Sequence, residues 1–177
     1  MAGNTALELE KFLPYRLSVL SNTVSQAIAR EYEDRFQLSI TEWRVVAVLG
    51  RYDGLSAREV AERTAMDKVA VSRAVAELMK DRRVKRSTAD HDKRQSVLSL
   101  TAKGRKAYSE VAPLALAHER RLLAHLDAEE RESLGRIIEK LLAAEKALNY
   151  LLAPLCKPHS KVMPQPGSKP GKPRRIG

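Results

Sequence analysis

The chain has 177 residues, long enough for one domain, or two small modules sharing a core, with a sizeable apolar interior. Its 32 Lys and Arg against 22 Asp and Glu give a formal charge of +10, which points to a polyanionic partner such as nucleic acid or an acidic membrane face. A single cysteine, Cys156, excludes an intrachain disulfide; with no start resembling a signal peptide and no apolar run of ~18 residues, the expectation is a cytoplasmic protein without a membrane part.

Between Pro14 and Phe36 the residues Leu17, Leu20, Val24, Ala27, Ile28 and Tyr32 recur at spacings of three and four, one stripe on a long helix with Pro14 in its first turn. A second, short helix is expected after Thr41 as N-cap, running through Trp43, Val46, Ala47 and Leu49 until Gly54 breaks it. The run "SARE", Ser56 to Glu59, matches a capping box and predicts a two-turn helix ending near Thr64. Asp67 can cap the next helix, through about Arg82, with Val71, Ala74, Val75 and Leu78 facing inward. Alternating apolar residues in Val84 to Ser87 and Ser96 to Leu100 then predict a single β-hairpin. Thr101 can cap a long helix containing Tyr108, Val111, Leu114, Ala115 and Leu122, with Pro113 expected to kink it. "DAEE", Asp127 to Glu130, starts a last helix whose apolar stripe is wide: Leu134, Ile137, Ile138, Leu141, Leu142, Leu148, Leu151 and Leu152. Two end helices richer in apolar residues than a short middle can cover are expected to pack together and against a second subunit. From Lys157 onward there are six Lys or Arg and no acid, so removing this tail leaves +4 for the body. Its Pro, Lys and Gly content cannot support a core, and the tail is expected to be disordered.

The fold class is therefore mainly α with one β-hairpin. The stretch "LSAREVAERTAMDKVAVSRAVAELMKD" has two short helices joined by a few residues, the sequence form of a helix-turn-helix, or equally of an ordinary helical hairpin in a core. Ala65 stands in the turn, where many such motifs carry Gly. The second helix presents Lys68, Val69, Ser72, Arg73, Ala76 and Lys80 on its outward face, which a DNA major groove can accept. Arg73 can donate twice to guanine, Ser72 can reach phosphate or a base edge, and Val69 can touch a thymine methyl. The hairpin adds an independent signal: Arg82, Arg83, Lys85, Arg86, Lys93 and Arg94 against Asp90 and Asp92 give it about +4. A wing of that charge can reach the adjacent minor groove, with Arg94 as probe and Asp92 orienting its guanidinium.

The order of long helix, "LSITEWRVVAVL", helix-turn-helix, "DHDKRQSVLSLTAKG" and two closing helices resembles the MarR family of winged-helix transcriptional regulators over about residues 10 to 152. The Asp92-x-Arg94 pair followed by an alternating strand and "LTAKG" is the most specific part. The resemblance implies a homodimer joined through the first and last two helices, a palindromic double-stranded DNA operator, and repression controlled by a small molecule. The organisation that goes with it is an N-terminal dimerization region at 1–36, a winged helix-turn-helix lobe at 37–100, C-terminal dimerization helices at 101–153, and a basic, Pro-rich tail at 154–177. It also implies a pocket for an aromatic acid or an aromatic acyl-CoA thioester, for which Arg16, Arg44 and Arg51 are candidate anion partners and Trp43 and Tyr108 candidate aromatic walls. Trp43 can also be a plain core residue. The phrase "FLPYRLSVLSN" resembles members that sense hydroxycinnamoyl thioesters. An enzyme is not expected: no nucleophile and base pairing, Gly-rich phosphate loop, metal-ligand cluster or cofactor motif is evident. The alternative is a basic architectural protein that coats DNA without an effector.

Overall fold

The computed structural model describes residues 6–88 and 96–152, the side chains of 149–152 apart. It contains α1 (Leu13–Phe36), α2 (Ile40–Arg51), α3 (Ala57–Thr64), α4 (Lys68–Lys80), β1 (Val84–Thr88), β2 (Ser96–Leu100), α5 (Ala102–Leu123) and α6 (Ala128–Leu152). The described residues fall into two compact units, divided between His125 and Leu126.

In the first unit, α2, α3 and α4 bury one apolar core. Val45, Val46, Leu49, Val60, Val71, Val75 and Leu78 are all nearly inaccessible, and Leu98 and Val111 close it from β2 and α5. The strands pair antiparallel with Val84 opposite Leu100 and Arg86 opposite Leu98. Leu55, between α2 and α3, adds a third rung: its carbonyl accepts from the Leu98 amide at 2.7 Å. No alternating run marks Leu55, so the sequence gives no strand signal there.

Most helix starts follow the capping residues expected. Ser56 and Glu59 form the reciprocal capping box of α3, and the Thr101 hydroxyl accepts from Gly104 N–H at the start of α5. The start of α2 is a correction. Ser39, not Thr41, is its N-cap: the Ser39 hydroxyl accepts from Glu42 N–H at 3.2 Å and the Glu42 carboxylate accepts from Ser39 N–H at 2.7 Å. The box wins because it satisfies two end groups at once, where Thr41 alone offers one oxygen. Helix α4 stops at Lys80 rather than Arg82, because Arg82 turns left-handed at φ 57°. Helix α5 continues through Pro113.

Along α1 only the second half of the expected stripe is covered. Tyr32 is buried and Val24, Ala27 and Ile28 are half-buried, whereas Leu17 and Leu20, like Leu13 before them, are exposed. In the second unit, at the start of α6, the Glu130 carboxylate accepts from Asp127 N–H at 2.9 Å and the Asp127 carboxylate accepts from Glu130 N–H at 2.8 Å. Leu134, Ile137, Ile138, Leu141, Leu142 and Leu148 are exposed along it. Among the described residues no helix is long and apolar enough to cross a membrane.

Candidate nucleic-acid interface

The outward face of α4 is built from its first residue. Asp67 caps the helix, its Oδ1 accepting from Val69 N–H at 2.9 Å and Ala70 N–H at 3.1 Å. A carboxylate there satisfies two free donors and complements the positive end of the helix. With Val71, Ala74, Val75 and Leu78 turned into the core, 3.6 residues per turn puts Lys68, Val69, Ser72, Arg73, Ala76 and Lys80 outward. All six are exposed. Lys68 and Arg73 have no carboxylate partner among the described residues, while Lys80 lies 3.4 Å from Glu77. Glu77, also exposed on α4, is a polar group at the edge of this face that the sequence reading did not assign. Arg73 borders an open hollow of about 330 Å³ between α4 and the start of α2, shared with Ser39, Thr41 and Glu42.

Helix α3 is held against α4 by a tight turn. Ala65 adopts φ 51°, ψ 29°, its N–H bonding back to the last turn of α3, and Met66 N–H reaches the Ala61 carbonyl at 3.2 Å. The turn thus takes the left-handed form that Gly usually supplies, here with Ala.

The wing root differs in one respect from its sequence reading. Lys85 and Arg86 are exposed on β1, as a DNA-reaching strand requires, but Arg83 is buried. Its Nη2 donates to the Phe36 carbonyl at the end of α1, and its Nε lies 2.7 Å from Asp81 Oδ2, although Nε and Nη1 make no aligned hydrogen bond. Arg83 therefore joins α1, the end of α4 and the wing root, and it drops out of the cations available to DNA. Asp81 also takes Lys103 Nζ at 3.0 Å. That hydrogen bond, reinforced by the charges of Arg83 and Lys103, holds the Asp81 carboxyl below the usual range despite some burial. Asp92, Lys93 and Arg94 lie outside the described residues, as do the tail and Cys156.

The candidate effector residues separate into two sets. Trp43 and Tyr108 come together, stacked with centroids 6.3 Å apart and 25° between planes, and Tyr32 joins them at 5.7 Å from Trp43. Tyr108 lies so close over Gly50 that a Cβ there would sit 2.4 Å from its ring. Tyr32 was legible only as a core residue. It is 1% exposed, yet its hydroxyl has no hydrogen-bond partner among the described residues. Burial, and secondarily the Glu33 charge, push its pKa up to about 12 against the opposing pull of Arg44, so it remains a donor. Arg44 donates to the Ser25 hydroxyl at 2.9 Å. Arg16 lies instead on the exposed start of α1 beside Tyr15, Val19, Leu20 and Thr23, and Arg51 stacks 5.1 Å over the Tyr52 ring.

Comparison with known proteins agrees with this arrangement. Residues 36–95 match the MarR family. The chain is 30% identical to the HTH-type transcriptional regulator BilQ of Clostridium symbiosum (strain WAL-14163) over 102 residues, 58% of this chain and 71% of BilQ. Among solved structures, a MarR-family transcriptional regulator from Silicibacter pomeroyi superposes with a TM-score of 0.66 at 26% identity, covering 77% of this chain and 91% of that one. MepR of S. aureus, solved as a DNA complex, superposes with a TM-score of 0.67 at 20% identity, covering 76% and 97%. With an exposed basic helix in the second position of a helix-turn-helix and a hairpin at its end, the chain belongs to the MarR family of winged helix-turn-helix transcriptional regulators and is a DNA-binding protein, not an enzyme.

Proposed function

We propose that the protein is a homodimeric repressor that holds a palindromic operator and is released from it by a small aromatic acid or aromatic acyl thioester. The observation that carries the DNA reading is the face of α4, where Lys68, Ser72, Arg73 and Lys80 are exposed along a helix whose first turn Asp67 caps. Arg73 donates to guanine, Lys68 and Lys80 take phosphates, and Lys93 and Arg94 of the wing, oriented by Asp92, enter the minor groove. The dimer covers the apolar residues that α1 and α6 each leave exposed in a single chain.

Support for the effector comes from the Tyr32, Trp43 and Tyr108 cluster with Arg44 beside it. The unpartnered Tyr32 hydroxyl is a buried donor, and an oxygen-bearing aromatic ligand would satisfy it. Arg16, on the exposed start of α1, and Arg51, stacked on Tyr52, belong to this reading only as partners for the phosphates of a thioester carrier. A ligand that favours the spacing of the reading heads incompatible with DNA weakens operator affinity by about 5- to 150-fold for a coupling of about 1–3 kcal/mol. Titrating p-coumarate, p-coumaroyl-CoA and acetyl-CoA into the protein–operator complex tests this: release by the aromatic compounds and not by acetyl-CoA is expected, and no release by any of a broad aromatic panel contradicts it.

A further inference from the structure

We propose that Val69 and Ala76 read thymine methyl groups, so that each operator half-site carries two thymines about three base pairs apart. This rests on α4 being the helix that enters the major groove. Val69 is 55% exposed in the first turn of α4, on the face that carries Lys68 and Arg73. Among the described residues more than half of this valine is left uncovered. A β-branched side chain is a weaker helix former than Lys, Arg or Ala, and this one buries little against its own protein.

What the position gains is rigidity toward something outside. The Val69 amide is fixed to Asp67 Oδ1 at 2.9 Å, and a β-branched residue in a helix keeps essentially one rotamer, so its methyl groups are held in place before DNA arrives. At spacings of three and four, Val69, Ser72 and Ala76 form one row along the helix, a shallow floor with Lys68 on one flank and Arg73 and Lys80 on the other. Small residues let the helix approach the base edges closely while the longer cations reach past it.

The chemistry of the groove then selects the base. Only thymine presents an apolar group there, its C5 methyl; the other bases present donors and acceptors, which would lose water against Val69 or Ala76 and gain no partner. The row also sets the spacing. Seven residues of helix rise about 10.5 Å, and base pairs follow each other every ~3.4 Å, so two contacts two turns apart fall about three steps apart.

The test begins with an operator selected from random duplexes by the full-length protein. Each dT is then replaced by dU, which removes only the methyl group, and affinity is read by fluorescence anisotropy. Losing one buried methyl, worth about 0.8 kcal/mol, corresponds to about a fourfold loss per half-site. The expected result is such a loss at two positions three apart, with the penalty at one of them reduced in Val69→Ala, which keeps one carbon of the side chain but withdraws its two outer methyl groups and whose helix is at least as stable. An operator in which no dU substitution matters, or a penalty that persists undiminished in Val69→Ala, overturns the inference. A parallel 7-deazaguanine scan with Arg73→Ala separates the two readings. A guanine penalty that depends on Arg73, without any dU penalty, leaves α4 in the groove and removes only the thymine reading. Silence in both scans removes α4 from the groove altogether.

Discussion

Ala65 holds a left-handed backbone, φ 51°, with its side chain exposed, so it bears the steric cost of that conformation with no packing in return. For an L-residue the cost is about 1–2 kcal/mol, against about 0.4–1 kcal/mol of extra chain entropy that Gly loses on folding. Ala65→Gly is therefore expected to stabilise the protein by about 0.5–1 kcal/mol in urea denaturation; a destabilised variant would show that the turn is not strained. Asp81 gives a pH signature. Its carboxyl is held low, chiefly by the hydrogen bond from Lys103, so its contribution is complete above the unfolded value of about 3.9 and is lost as pH falls through the lower folded value. The penalty of Asp81→Asn should be largest at neutral pH and shrink below about pH 4. A penalty independent of pH would contradict the assignment.

Among the helices, those whose first residues carry a side-chain oxygen were legible in the sequence, because caps act within four residues. Ser56, Asp67, Thr101 and Asp127 all stand where their spacing to the following apolar residues puts them. At α2 two hydroxyls compete, and only the partner Glu42 decides for Ser39. The ends of α1 at Phe36 and α3 at Thr64 agree with the sequence reading, and α4 stops two residues short of it, at Lys80; the residues that turn the chain away, Gln37, Ala65 and Arg82, all have positive φ and none is the Gly that signals such an end. Arg83 was misread because charge counted along a segment carries no information about direction. Its guanidinium turns inward to a carbonyl 47 residues earlier, a contact that only the fold creates. The Asp67 cap is the element-scale link to function. Asp67→Ala should cost about 1 kcal/mol of stability and fray the turn that carries Lys68 and Val69, weakening operator binding severalfold. Unchanged affinity in an anisotropy titration would show that this turn does not touch DNA.

For the whole molecule, the sequence signalled more apolar surface than one chain covers, and the structure locates it on the start of α1 and along α6. Periodicity could locate that surface but not its partner, since an uncovered stripe looks the same whatever covers it. Ile138, 45% exposed, is a direct probe. Ile138→Asp should shift the protein from dimer to monomer in sedimentation velocity while helical circular dichroism stays near wild type; a variant that remains dimeric would place the interface elsewhere. In the function proposed above, the exposed face of α4 makes this protein a reader of sequence rather than a basic coat for DNA. The most direct test is the ratio of affinities for a selected operator and a scrambled duplex at the same salt, for wild type and Arg73→Ala. A ratio above about a thousand that collapses on loss of Arg73 is predicted; comparable affinity for both duplexes, or a ratio indifferent to Arg73, would contradict it.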